Sequence, residues 1–393
     1  MIRWAATACA LLIFSGTSPG EEYPPPAHMR PVVPGCAYGT VNLPERKLVY
    51  HLVEVDLSLG PAVRALEARG RGETVSGLAR RVLREGQPLV ACINGDYFDQ
   101  IDDGTIFPWG ILVLNGELAY SPSRRSALYV GADGKAGIDV FTLRATLSPA
   151  EGGGSLPVEG VNQPPSAAGS AYLYTPRWGA STPEFSRGQA LVFSGAPPRC
   201  GADSDLTVVG RLRMPVRVPI PPDGCVLVVP GKQEALAGFE LGSRAVLAVA
   251  SPSGIVWALG GGPRLVREGR ISFEHAREGF VSGQGAYMVL GRHPRSAVGV
   301  SADGSKLLLV AVEGRTEASE GMKLDEFAAL LQALGAADAM SFDGGRSVGL
   351  WAGGEDLVTG GREVCDALAV VETGEGRPAP TGTKGIADPV KIE

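Results

Sequence analysis

The chain has 393 residues, with 36 Lys and Arg against 42 Asp and Glu, for a net charge of −6. That balance offers no cationic surplus to neutralise a phosphate backbone, which argues against nucleic acid as a partner. Only four His occur, too few for a multi-histidine metal centre, and the 55 Gly and 30 Pro point to turn-rich β structure.

The first residues carry Arg3 and then an apolar run from Ala5 to Phe14, followed by small residues and Pro19. This pattern predicts a signal peptide over 1–20, and hence a secreted or periplasmic (cell-envelope) protein. The run is too short to span a bilayer, and no later segment is long and apolar enough, so no stable membrane span is expected. Cys9 falls in this leader. The other five cysteines, Cys36, Cys92, Cys200, Cys225 and Cys365, lack CxxC spacing. In an exported chain they could form one or two disulfides, with Cys92 the odd thiol in an apolar run.

Residues 21–39 are Pro-rich and read as an extended linker. Residues 47–57 follow as a strand. Over 72–86 the apolar positions Val75, Leu78, Ala79, Val82 and Leu83 repeat at helical spacing, with Thr74 placed to cap and Gly86 to terminate. A buried strand over 89–93 then runs into Asn94-Gly95-Asp96. The middle, 140–250, has short β-like runs with a turn signal every ten residues or so. A strand over 306–312 ends at Glu313-Gly314-Arg315. An apolar helical stripe through Leu324, Phe327, Ala328 and Leu331 ends at Gly335. It is followed by a strand over 339–342 that runs into Asp343-Gly344-Gly345-Arg346-Ser347. The tail 373–393 reads as disordered. The fold class is α+β: a mixed, largely β-sheet domain over 40–372, with a few packing helices and catalytic loops at strand ends.

Polar, Gly-containing loops at the ends of apolar strands are where ligand sites commonly form. Asn94, Asp96 and Asp99 combine an amide with carboxylates, though Asn-Gly-Asp is also an ordinary turn. Asp343 stands at a strand end before two Gly whose N–H groups could face an anion, and it reads equally as a turn cap. Arg292-His293-Pro294-Arg295 offers guanidinium forks and an imidazole, or a plain surface loop. No GxSxG, HExxH or Walker A segment is present, so serine-hydrolase, zincin and P-loop chemistries lose their sequence warrant.

Taken in order, these elements resemble the phosphodiester glycosidase family over about residues 40–372. The resemblance is carried by Asn94-Gly95-Asp96-Tyr97-Phe98, Pro108-Trp109-Gly110 with Asn115-Gly116-Glu117, and Leu173-Tyr174-Thr175-Pro176. It continues through Gly261-Gly262-Pro263-Arg264-Leu265-Val266, His293-Pro294-Arg295-Ser296-Ala297-Val298-Gly299, Gly314-Arg315 with Ser319, Gly321 and Met322, and Asp343-Gly344-Gly345-Arg346-Ser347. The sequence departs from the family pattern at Arg346 and Val348, and Asp96 stands where the family has Gly.

The resemblance implies an exported hydrolase that cleaves a sugar-1-phosphodiester, with a glycan or sugar-phosphate as substrate. The roles it suggests are Asp343 and then Asp96 as catalytic carboxylates and His293 as a donor to the leaving group. Substrate and phosphate binding fall to Asn94, Arg295, Arg315, Gly344, Gly345 and Ser347. No cofactor is implied, and a divalent cation has no ligand spacing to call for it. The altered Gly-rich loop leaves a non-catalytic envelope glycan-binding protein as an alternative, and a general phosphodiesterase as another.

Overall fold

The computed structural model describes residues 23–101, 104, 106–165, 170–185, 188–213, 217–230, 236–281 and 284–373. The leader with Cys9, and residues 374–393, lie outside the described residues. Among the described residues no helix is long and apolar enough to cross a membrane.

Strands dominate. An eight-stranded antiparallel sheet has the order Arg30–Val33, Cys36–Leu43, Leu48–Asp56, Lys306–Val312, Arg295–Val300, Asp338–Ser341, Arg264–Arg267 and Arg270–Ile271. The linker expected over 21–39 therefore gives way to paired strand at Arg30. A five-stranded sheet follows the order Glu355–Val358, Leu350–Ala352, Leu89–Asn94, Asp366–Glu372 and Pro61–Glu67. Period-two alternation explains how these two sheets pack. From the first, Val53, Val55, Leu307 and Leu309 point into a core shared with Ala91, Ile93, Leu368 and Val370 of the second. The opposite side chains of the first sheet, Tyr50, Leu52, Leu308 and Val310, pack under the helix Leu324–Ala333 through Leu324, Phe327 and Leu331. Those of the second, Cys92, Ala367, Ala369 and Val371, pack under the helix Val75–Arg84 through Val75, Leu78, Ala79 and Val82. The result is a helix–sheet–sheet–helix stack. Each fully buried Val, Leu or Phe contributes ~1.5–3 kcal/mol to it.

Local sequence sets the helix ends as expected. The Thr74 hydroxyl accepts from the Gly77 N–H at 3.1 Å, and Gly86 takes a left-handed φ of 77° after the last turn. Leu83, expected on the buried stripe, is exposed. A third helix, Gln284–Leu290, was not anticipated. Among the described residues, three short helices against this many strands make a largely β fold, so the helical share that an α+β label implies is not reached.

The β-rich middle closes on itself. Arg144–Pro149, Leu156–Val161, Ala171–Tyr174, Gly224–Val229, Gln189–Gly195, Ala202–Arg213 and Arg244–Ser251 form a barrel, sealed by pairing of its first and last strands. Closure leaves no free edge, and Leu147, Leu173, Leu191, Phe193, Leu227 and Leu247 fill the interior. A further five-stranded sheet, Ala136–Val140, Ser126–Gly131, Ile255–Gly260, Leu112–Leu114 and Glu117–Tyr120, joins barrel to stack.

The cysteines are spread over different layers, and Cys36, Cys92, Cys200, Cys225 and Cys365 are all free thiols. The disulfides considered from composition are therefore not formed. Burial pushes the thiols of Cys36, Cys92, Cys200 and Cys225 up to about 12, which keeps them protonated and unreactive.

Candidate functional site

Topology gathers distant segments at one end of the stack. The strand Arg295–Val300 runs antiparallel to both Lys306–Val312 and Asp338–Ser341, so its start lies beside their ends. His293, Pro294 and Arg295 therefore meet Arg315 and Asp343. In the second sheet Ala367 pairs with Asn94 and Asp366 with Glu67, which puts Asp366 at the same end as Asn94. One backbone bond stitches the two sheets here: the Asp343 N–H donates to the Gly95 carbonyl at 2.9 Å.

Asp343 is the centre. It is buried, and its carboxylate accepts from the Ser347 hydroxyl at 2.5 Å and from Arg362 Nη2 at 2.5 Å. Arg362 Nε also donates to the Ser347 hydroxyl at 2.6 Å, and the guanidinium lies over Phe98, 4.6 Å from the ring centroid. Burial raises the Asp343 pKa, opposed by the Ser347 bond and the Arg362 charge. The Arg362 side chain is 41% exposed and that of Asp343 only 3%, so the cation reaches from the surface down to a sheltered carboxylate.

Asn94 and Ser296 hold the main chain of this turn. Asn94 Nδ2 donates to the Asp343 carbonyl at 2.8 Å, the Ser296 hydroxyl donates to the same oxygen at 2.9 Å, and Asn94 Oδ1 accepts from the Gly349 N–H at 3.2 Å. Gly345 has φ 64°, and its N–H donates to the Pro294 carbonyl at 2.9 Å. A Cβ on Gly345 would meet Arg315 Nη2 at 3.4 Å, so the glycine leaves that guanidinium its place over the turn. Arg315 itself adopts φ 62°, a left-handed strain that costs a non-glycine residue ~1–3 kcal/mol.

His293 orients Arg315. Arg315 Nη2 donates to His293 Nδ1 at 3.1 Å, which leaves Nε2–H to donate to the Tyr287 carbonyl at 3.3 Å. Burial first, then the Arg295 charge, lowers the His293 pKa, in keeping with a neutral ring. Arg295 lies beneath, buried. Its Nε donates to the Met322 carbonyl at 2.8 Å, and its Nη2 donates to the Met288 and Gly291 carbonyls at 2.7 and 2.8 Å. Desolvation lowers its pKa to about 10. Its donors thus tie the end of the helix Gln284–Leu290 to the Met322 segment under the site. Arg346, the departure from the family pattern, is exposed and donates from Nη2 to the Gly361 carbonyl at 2.8 Å.

Asp96 is buried, with one oxygen accepting from the Tyr97 N–H at 2.8 Å and the other from the Gly110 N–H at 2.6 Å. A Cβ on Gly110 would fall 2.8 Å from the second oxygen, so this fit needs glycine. The Asp96 N–H donates to Asp366 Oδ1 at 2.7 Å, while Asp366 Oδ2 is buried without a hydrogen-bond partner. Burial first, then the charge of Asp366, raises the Asp96 pKa well above the usual range. Burial raises that of Asp366 to about 7. The two acids therefore resist ionising together, and because both Asp96 oxygens already accept N–H bonds, a proton shared by the pair is better held on Asp366.

Sequence reasoning singled out Asn94, Asp96, His293, Arg295, Arg315, Asp343, Gly344, Gly345 and Ser347, and the fold brings them to this one end. It missed Arg362 and Asp366. The doublet Gly360-Gly361-Arg362 repeats the pattern of Gly344-Gly345-Arg346 and was the one signal available for Arg362.

The raised Asp366 pKa makes a stability prediction. An acid protonated more readily when folded stabilises the native state fully below its unfolded pKa, near 4. That contribution is lost as pH rises through its folded value of about 7. Wild-type stability should thus fall by ~1–4 kcal/mol between pH 5 and pH 8, measured by urea unfolding. Asp366→Asn, which keeps an oxygen for the Asp96 N–H, should flatten that slope. Parallel slopes for the two proteins would refute the shared-proton assignment.

No curated protein matches the sequence. Among solved structures, a hypothetical protein from Synechocystis superposes with TM-score 0.69 at 24% identity, covering 86% of this chain. This chain spans 62% of that protein's length. A Burkholderia pseudomallei K96243 protein described as exported gives TM-score 0.62 at 24% identity, over 82% of this chain and 74% of its own. At these identities the likeness is one of fold. The catalytic domain of zebrafish N-acetylglucosamine-1-phosphodiester α-N-acetylglucosaminidase, auto-inhibited by its pro-peptide, gives TM-score 0.46 at 15% identity, over 87% of this chain and 84% of its own. Residues 213–371 match the family model of phosphodiester glycosidases, a stretch that contains His293, Arg315, Asp343, Ser347 and Arg362. Over that stretch, about two fifths of the chain, the sequence is similar to the phosphodiester glycosidase family.

Proposed function

We propose that the protein is an exported hydrolase that cleaves a sugar-1-phosphodiester, acting on a cell-envelope or extracellular glycan. The observation that carries this reading is the sheltered Asp343 carboxylate, bound by Ser347 and Arg362, with Arg315 set over the adjoining Gly344–Gly345 turn. Departure of a phosphate ester from an anomeric carbon leaves an oxocarbenium-like centre on the sugar and negative charge on the leaving group. Asp343 supplies the anion for the first, by supporting the cation or by drawing the proton from an attacking water. Arg315 and Arg362 supply cations for the second. A phosphate leaves readily, so a strong general acid is not required. His293 then acts as the positioning residue for Arg315, and Arg295 and Asn94 as the frame of the turn.

Bond position is the test. Hydrolysis of a glycosyl-1-phosphodiester in ¹⁸O-water should place the label on the sugar C1 hydroxyl and leave the released phosphate ester unlabelled. Label in the phosphate would make the protein a phosphodiesterase that cleaves at phosphorus. Absence of turnover across a panel of such esters would overturn the catalytic reading.

A further inference from the structure

A cleft of about 720 Å³ opens between the barrel and the strand Pro61–Glu67, with Cys365, the chain neighbour of Asp366, in its wall. Three residues from two of the elements singled out in the sequence meet in its wall: Pro108, Glu117 and Thr175. The volume falls within the range of small-molecule sites. Its chemistry is unlike that of the arginine-covered turn. Arg177 lies in the wall, but its guanidinium is engaged throughout: Nε and Nη2 donate to the two Glu117 oxygens at 2.5 and 2.8 Å, and Nη1 donates to Glu67 at 2.5 Å. Arg177 therefore has no donor fork left for a phosphate, and Arg71 stands exposed at the cleft wall. The charged lining residues are Glu67, Glu117 and Asp223 against Arg71 and Arg177, close to balance. Burial raises the Glu67 pKa and draws it further toward neutrality. What the cleft offers is carboxylate oxygens with spare lone pairs and aromatic walls from Tyr120 and Trp178. That is an acceptor-rich, charge-balanced surface suited to the hydroxyl donors of a sugar.

We propose that this cleft binds an uncharged glycan segment of two or three sugar units. Occupancy of the cleft does not require the Asp343 carboxylate. Isothermal titration of the full chain with cellotriose, maltotriose and chitotriose should show saturable binding of at least one of them. Trigalacturonate and spermidine, as anionic and cationic probes, should bind at least about tenfold more weakly. Glu117→Gln should weaken the bound trisaccharide about tenfold, and the exposed Arg71→Ala about threefold, whereas Asp343→Asn should leave its affinity unchanged. A melting curve shows whether Glu117→Gln is folded. If it is not, Arg71→Ala alone decides. The proposal is overturned if no uncharged trisaccharide binds, if a charged probe binds more tightly, if the folded cleft variants bind like wild type, or if Asp343→Asn abolishes binding.

Discussion

Asp343→Asn should lower kcat for sugar-1-phosphodiester hydrolysis by about 10³-fold or more while KM changes little. The amide keeps the side chain's shape and one oxygen for the Ser347 hydroxyl, so the turn should survive. The chain of bonds from Gly95, Asn94 and Ser296 to the Asp343 main chain does not involve the carboxylate. What is lost is the negative charge opposite the developing cation, felt strongly because the carboxylate is buried. The thermal midpoint should therefore not fall, since a desolvated charge is removed. Turnover within tenfold of wild type would take Asp343 out of the chemistry.

Arg362→Ala should be the second severe change. It removes a cation from the place proposed for the leaving group and strips two charge-assisted bonds from Asp343 and Ser347. A fall in kcat/KM of about 10²-fold is expected. The pH profile separates this from simple loss of packing. Arg362 holds the Asp343 pKa down against burial, so removing it raises that pKa further. Since the ionised carboxylate is the working form, the acid limb of kcat/KM should move to higher pH, and Arg362→Lys should restore part of the shift. An acid limb that stays in place would show that the two groups are not coupled.

The segments of the site were readable because each couples an apolar run to a Gly-containing polar turn, as at Asn94-Gly95 and Asp343-Gly344-Gly345. Their convergence was not. It depends on register: Ala367 opposite Asn94 is what brings Asp366 to Asp96, and no local pattern encodes a pairing over that separation. Arg295 shows a related gap. Beside His293 and Arg292 it reads as a surface cation, yet its place at the start of a central strand buries it among the carbonyls of Met288, Gly291 and Met322. Barrel closure was likewise hidden. Short strands between turns announce β structure, while the seal between Arg144–Pro149 and Arg244–Ser251 rests on contacts about a hundred residues apart.

The strand Asp366–Glu372 sits between Leu89–Asn94 and Pro61–Glu67, filling an interior slot in its sheet. During synthesis the ribosome delivers this piece last, after every other described strand. Until it docks, Asn94 has no neighbour on that side and Asp96 has no acid partner. A nascent chain therefore carries Asn94 and Asp96 without these partners until that strand is in place.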